Sequence, residues 1–154
     1  MFRQMRRQER AMTQADTDEL LRTAQYGVLS INGAKYPYGV PLSYAVEAGN
    51  IYLHMATAGL KLDLLRAASY VSFCVVGEVK PLAEQFSMVY QSVIVFGHAE
   101  ELSGADKNQA LERLLEKYSP EYLEKGRQYI KNAGERTIVY KITIEHSSGK
   151  CRAE

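Results

Sequence analysis

The sequence predicts a mainly β, α+β domain in which an antiparallel barrel of six strands carries peripheral helices. Six segments show strand-like patterns of aromatic and β-branched residues: 26–31, 36–46, 51–55, 70–76, 89–102 and 138–145. Several of these segments are joined by short turns, such as Asn32-Gly33, and short turns favour antiparallel pairing. The 154 residues suffice for one domain with its own core, and no repeat or linker divides them. We therefore expect a single domain over residues 1–154.

Helices are predicted around these strands. Apolar residues at helical spacing indicate them over 14–25, 60–68, 106–118 and about 120–130. Thr13 and Asp16 resemble a capping box ahead of the first helix. Ser119 and Pro120 are typical of an N-cap followed by proline at the first helical position.

Two of the predicted strands contain residues that indicate where the strand lies in the sheet. Segment 36–46 contains Pro37 and Pro41, and proline cannot donate a hydrogen bond to a neighbouring strand. This segment is therefore bulged, at a sheet edge, or facing something other than a strand. Segment 70–76 is apolar on both faces, which predicts a central strand.

The remaining β segments are bounded by loops and turns. Segment 77–88 reads as a loose loop, and Gly97 in the next strand predicts a bend or bulge. The final strand is predicted to end before Ser147, where small and polar residues begin.

Composition and charge exclude several classes of protein. Lys and Arg number 19 and Asp and Glu 18, for a net charge of +1, so a dedicated nucleic-acid binder is not expected. No apolar stretch long enough for a membrane span or secretory signal is present, and Cys74 and Cys151 form no CxxC motif. We expect a cytoplasmic protein without a membrane association.

A basic arm is predicted at residues 1–12. Its first ten residues contain four Arg and one Glu, for a charge of +3. Such an arm could touch nucleic acid or an anionic lipid. The alternative, which we favour, is that Phe2 and Met5 pack the arm on its own protein or on a partner subunit.

The chemical motifs of common enzyme classes are absent. The sequence has no GxGxxG, GxxxxGK[ST], HExxH or GxSxG pattern. His54, His98 and His146 are too dispersed to indicate metal-ligand spacing, and no metal is expected.

Residues 56–61 are the first candidate site. Small residues precede a helix start, where free N–H groups suit a phosphate. Lys61 lies in the first helical turn, where the helix dipole favours an acid, so a bound anion would explain a lysine there. The alternative is a solvated lysine partly offset by Asp63.

Two strands supply further candidates. The proline-containing segment 36–46 has two interpretations. Its backbone groups could face a flat ligand with donor and acceptor edges, or the segment could be an ordinary edge strand. Tyr90, Ser92, Ile94 and Phe96 share one strand face, and Ser92 needs a hydrogen-bond partner there if it is buried. That partner is backbone or ligand.

Taken together, these stretches resemble a known family. The segments that carry the resemblance are 36–44 (YPYGVPLSY), 51–65 (IYLHMATAGLKLDLL), 71–75 (VSFCV) and 92–100 (SVIVFGHAE). In this order they resemble the FMN-binding split-barrel family related to pyridoxamine 5'-phosphate oxidase, and within it the nitroimidazole-resistance reductases. Met5-Arg6-Arg7 and the closing stretch 146–150 fit the same branch.

The resemblance implies an antiparallel split barrel and a homodimer with FMN at the subunit interface. It implies that His54 and Met55 flank the flavin and that Thr57 and Lys61 hold its phosphate. It further implies a flavin contact from Ser92, on the partner subunit, and from Lys150. The implied contacts with the isoalloxazine edge come from the backbone of Gly39, Val40, Pro41, Leu42 and Ser43.

One position departs from the pattern. The family often has Arg before the lysine, and the nitroimidazole-resistance branch often has His, whereas this chain has Leu60. One phosphate partner is therefore lost, and Lys61 remains as a point charge.

The resemblance implies an FMN-dependent oxidoreductase that reduces a small organic acceptor such as a nitro compound or quinone. In that hypothesis His54 is the catalytic proton donor. The alternative hypothesis is a non-enzymatic flavin- or haem-binding or sensing module on the same fold.

Overall fold

The predicted architecture, mainly antiparallel β with peripheral helices, is confirmed in the computed structural model, with seven strands in place of six. The structure describes residues 2–153; Met1 and Glu154, the two ends of the predicted domain, lie outside the described residues. The strands are β1 (Gly27–Ile31), β2 (Tyr38–Leu42), β3 (Ala45–Glu47), β4 (Asn50–Ala56), β5 (Tyr70–Leu82), β6 (Ser87–Glu101) and β7 (Thr137–Arg152). The α-helices are α1 (Gln14–Thr23), α2 (Leu60–Ala67), α3 (Gly104–Tyr118) and α4 (Leu123–Ala133).

The strands form one sheet in the order β2-β1-β5-β6-β7-β4-β3, and neighbouring strands are antiparallel. Its two edges, β2 and β3, are separated in sequence only by Ser43 and Tyr44. Two linking residues span at most about 10 Å, so the edges must approach each other. The sheet therefore curls into a barrel that is split between β2 and β3.

The proline-containing segment forms two strands, which accounts for the higher strand count. Pro41 lies in β2 opposite Val28, and β2 pairs only with β1. An edge strand has one unpaired side, so the missing N–H of proline is tolerated there. Of the three options for this segment, the sheet edge is the one observed. The chain then crosses the split and continues as β3 on the opposite edge.

Two strand ends were predicted wrongly. The loop predicted over 77–88 is a hairpin, because pairing of β5 with β6 resumes at Val79 after an irregularity that follows Val76. Pro81 is tolerated there because β1 pairs with β5 only from Val71 to Cys74, which leaves the far side of the hairpin free. Its tip carries Phe86, which is 97% exposed.

The last strand also runs further than predicted. β7 continues to Arg152, since backbone pairing with β6 proceeds through the small polar residues, for example at Ser92 opposite Lys150. Backbone hydrogen bonds do not depend on side-chain hydrophobicity, so the polar sequence concealed the strand. Gly149 is buried against Met12 and Thr17, where an added Cβ would collide with both side chains.

Two local predictions are confirmed. The ladder between β6 and β7 shifts register at Phe96/Gly97, as the bend signal indicated. The N–H of Asp16 donates to Thr13 Oγ1 at 3.1 Å and caps α1, which ends at Thr23 rather than Gln25.

Pro120 is the first residue of a short 3-10 helix ahead of α4, and Ser119 makes no side-chain cap.

The apolar side chains form two clusters. The larger fills the barrel and includes Leu29, Ile51 and Phe73, all fully buried. The smaller lies between α3 and the outer face of the sheet and includes Leu114 and Val139. Helices α3 and α4 therefore cover the outside of the barrel near the split.

The N-terminal arm packs on its own protein, one of the two packing options expected. The ring of Phe2 stacks on His146 at 4.6 Å between centroids and on Phe96 at 5.6 Å. Both partners lie on the outer face of β6 and β7. None of the helices within residues 2–153 is long and apolar enough to cross a membrane.

Candidate functional site

The candidate anion site lies where β4 passes into α2. Gly59 is the N-cap of α2 and has φ +126°, a backbone conformation that favours glycine. It provides no side-chain acceptor, while its carbonyl accepts from the N–H groups of Leu62 and Asp63. The earlier N–H groups of α2 are thus left for water or a ligand. Lys61 lies in this first turn, and burial lowers the pKa of its ammonium.

His54 lies two residues before the end of β4, on the outer face of the sheet. Its neighbours Leu53 and Met55 point into the barrel core, whereas His54 is exposed. Surrounding protein atoms and, second, the charge of Lys61 lower the pKa of His54. The imidazole is therefore neutral at pH 7, and it lies close enough to Lys61 for the two groups to interact.

The side chains of Met55 and Thr57 differ in their exposure to solvent. The Met55 side chain is buried in the barrel core, so only its backbone is available to a ligand outside. Thr57 is exposed in the short segment before α2. Leu60, the residue that departs from the family pattern, is 56% exposed at the start of α2.

Strand β2 presents a free edge beside the split. Gly39 and Pro41 are exposed, whereas Val40 and Leu42 pack against the barrel core. Ser43 is exposed directly after the strand. Since β2 pairs with a single neighbour, backbone groups on its other side remain available to a ligand.

Ser43 and His54 are brought together in one groove. This groove has a volume of about 880 Å³ and runs between the end of β4 and the helices α3 and α4. Ser92 and Lys150 do not line it. They lie opposite each other on β6 and β7 and line a second groove, beneath the N-terminal arm. Within one chain, these four predicted site residues thus occupy two separate surfaces, and Thr57 and Lys61 line neither groove.

Tyr118 is an important residue that the sequence did not indicate. Its hydroxyl accepts a hydrogen bond from the N–H of Tyr44 at 2.9 Å. The hydroxyl proton is shared between the carbonyl of Gln25, at 2.7 Å, and the carbonyl of Tyr44, at 3.0 Å. Tyr44 is the fully buried residue at which the chain crosses the split. The hydroxyl of Tyr44 in turn donates to the carbonyl of Leu21. Tyr118 therefore satisfies the backbone where the ladder is interrupted.

No sequence signal pairs residue 118 with residue 44. The helical spacing of Tyr118 indicated only an apolar face of α3. Likewise, no group of three His, Cys, Asp or Glu side chains placed to hold a metal ion is found within residues 2–153.

Comparison with known proteins identifies the family. The family model described as pyridoxamine 5'-phosphate oxidase matches residues 13–151. The chain belongs to the pyridoxamine 5'-phosphate oxidase family. No curated protein sequence matches it.

Solved structures with the same fold include flavin-binding proteins. The FAD- and haem-binding protein from Mycobacterium smegmatis has 18% identity and a TM-score of 0.80, over 92% of this chain and 72% of that one. The FAD-binding protein from Mesorhizobium loti has 23% identity and a TM-score of 0.68, over 94% and 98%. A candidate 5-nitroimidazole antibiotic resistance protein from Bacteroides thetaiotaomicron has 19% identity and a TM-score of 0.74, over 91% and 85%. At sequence identities of 18 to 23%, these similarities show that the proteins share the fold.

Proposed function

We propose that the protein is an FMN-dependent oxidoreductase that reduces a small organic acceptor, such as a nitro compound or quinone. The observation that carries the proposal is the uncapped start of α2, with Lys61 in its first turn and the end of β4 just before it. A cation and free N–H groups suit the phosphate of a mononucleotide. The family and its flavin-binding structural neighbours support the same cofactor class.

The donor set fits FMN in two respects. Thr57 and Lys61 would hold the phosphate at the start of α2, and the free edge of β2 from Gly39 to Ser43 would face the polar edge of the ring. The flavin, when bound, supplies the redox chemistry by accepting and delivering a hydride. The protein's own contribution is to bind and orient it beside the groove that Ser43 and His54 line.

His54 is the proposed proton donor for the reduced acceptor. Because it is neutral at pH 7, it would donate the proton on one ring nitrogen to the acceptor while its other nitrogen accepts a proton from water, so no imidazolate is formed. We expect His54→Gln to lower kcat about 100-fold, the lower end of the usual size of a general-acid effect, because an amide does not exchange protons at neutral pH. Stopped-flow reduction of the acceptor measures this, with FMN affinity as the control. An unchanged kcat would remove His54 from the mechanism.

We propose a homodimer in which Ser92 and Lys150 of one subunit complete the cofactor site of the other. The outer face of β5 and β6 supports it, since Val76, Ile94 and Phe96 are 42 to 56% exposed there. Contiguous apolar surface of this kind is typical of a subunit interface.

Charge on this face should disrupt the dimer. We expect Ile94→Glu to raise the dimer dissociation constant at least about a hundredfold, because each subunit would bury an unpaired carboxylate. Light scattering would then report one chain of 17.4 kDa instead of two. Tyr122→Glu, at a 63% exposed aromatic position beside α4 and away from β5 and β6, is the control. A dimer that persists in Ile94→Glu would show that this face is not the interface.

The second candidate function is a non-enzymatic flavin- or haem-binding module. It is favoured by the structural neighbour from Mycobacterium smegmatis, whose name includes both FAD and haem. The visible absorption spectrum of the purified protein separates the two proposals. Flavin bands together with turnover of an acceptor support the oxidoreductase, and a Soret band supports the haem module. A colourless protein that cannot be reconstituted with FMN would exclude both. Chromatography of the released flavin distinguishes FMN from FAD.

A further inference from the structure

Helix α4 is amphipathic, yet none of its residues is buried. The positions that face α3 recur at helical spacing and include Tyr129 and Ile130 of the helix and Tyr122 just before it. Tyr122 is 63% exposed and Tyr129 is 72% exposed. Two large aromatic rings thus line a groove without being covered by the protein itself.

The opposite wall of this groove belongs to α3. Leu111, Leu114 and Leu115 line it, and an added Cβ at Gly126 would collide with the side chain of Leu115. Gly126 therefore lets α4 approach α3 closely at that point, while the groove remains open at its rim. Its volume of about 880 Å³ lies within the usual range for small-molecule sites.

The groove extends to the proposed redox site, and its lining is positively charged. His54 and Ser43 form one end. Among the described residues that line the groove there is no Asp or Glu, and Lys125 is the one lysine. The apolar and aromatic walls suit a planar ring system. The lysine, with no carboxylate in the lining, favours a neutral or anionic ligand over a cationic one.

We infer that the groove between α3 and α4 is the binding site for the electron acceptor, and that the acceptor is a planar aromatic molecule, neutral or anionic, held between Tyr122 and Tyr129. The inference rests on the proposed function, because it places the acceptor next to His54. It assigns specificity to the two helices outside the barrel, whereas cofactor binding is assigned to β2, β4 and α2.

The test uses menadione as a neutral probe and 1,4-naphthoquinone-2-sulfonate as an anionic one. Their dissociation constants are measured by calorimetry on the full chain, with and without FMN. We expect Tyr122→Ala and Tyr129→Ala each to raise both constants about three- to tenfold, because each removes one stacking surface. Tyr26→Ala, which removes an equally exposed tyrosine outside the groove, should leave them unchanged.

Charge at the rim provides a second measurement. Lys125→Glu should raise the dissociation constant of the sulfonate about tenfold and leave that of menadione within twofold. If the chain binds no flavin but still binds menadione through the two tyrosines, the proposed function is contradicted. The groove is then still supported as a binding site for planar aromatic molecules.

Three results would overturn the groove itself. Probe affinities that none of the tyrosine variants changes would exclude it as the acceptor site. A loss of FMN affinity in Tyr122→Ala or Tyr129→Ala would show that the groove holds part of the cofactor. Dissociation of the dimer in either variant would show that a second chain covers the groove.

Discussion

Replacing Lys61 with alanine is expected to weaken FMN binding about 10- to 100-fold. A hydrogen bond to a charged group contributes about 1.5–3 kcal/mol, and each 1.4 kcal/mol changes an equilibrium constant tenfold. The effect is large for one residue because Leu60 occupies the position where the family's pattern offers a second phosphate partner. Fluorescence titration of the flavin-free protein with FMN measures the change.

Lys131→Ala is the matched control, because it removes an exposed lysine from the outer side of α4. It should leave FMN affinity unchanged. Lys61→Arg should retain more affinity than Lys61→Ala, since the positive charge remains. Equal affinity of the wild-type chain and Lys61→Ala would show that the phosphate is held elsewhere.

The same variant has a consequence that does not involve flavin. The charge of Lys61 is the second cause of the lowered pKa of His54, after the desolvation caused by surrounding protein atoms. In Lys61→Ala we therefore expect the pKa of His54 to rise towards its ordinary value without reaching it, because the desolvation by surrounding protein atoms persists. NMR titration of the imidazole protons of the flavin-free protein measures this shift. A pKa that does not move would show that the charge of Lys61 does not act on His54.

Replacing Tyr118 with phenylalanine is expected to lower the free energy of unfolding by about 2–3 kcal/mol. The substitution keeps the ring but removes the hydroxyl that accepts from the N–H of Tyr44 and shares its one proton between the carbonyls of Tyr44 and Gln25. Leaving a buried N–H or carbonyl without a partner costs about 1–3 kcal/mol each. The carbonyl of Gln25 also loses this partner, but Gln25 is less enclosed and water can replace the bond.

Urea unfolding followed by circular dichroism measures this loss. Tyr129→Phe is the control: its hydroxyl is removed from an exposed ring, so its effect should remain within about 0.5 kcal/mol. A loss of less than 0.5 kcal/mol in Tyr118→Phe would mean that water satisfies Tyr44 and that the split is solvated rather than closed by α3.

Some elements were predictable because their signals are local. The Thr13 cap and the helix with Leu111 and Leu114 each depend on residues within a few positions of one another. The register shift against β7 was indicated by the residue type of Gly97 alone. The position of Lys61 in the first turn of α2 is equally local, and it was predicted correctly.

Other elements were missed because strand pairing is decided at a distance. The segment after Gly77 and the stretch from Ser147 to Arg152 are strands because β6 lies beside both of them. Their own side chains, with Pro81 and several small polar residues, indicated loops. Hydrogen bonds between backbones impose no hydrophobic pattern, so the pairing partner was not visible in the sequence.

By itself, the sequence determined the fold class, the family resemblance and the uncapped, lysine-bearing start of α2, since each follows from residue type and short spacing. The tertiary structure alone decided the curvature of the sheet, because the Ser43-Tyr44 link brings its two edges together. It also decided that Tyr118 bonds the backbone of Tyr44 and that His54 opens into a tyrosine-lined groove. These features join residues 60 to 80 positions apart, and only the packing of α3 and α4 on the barrel places them in contact.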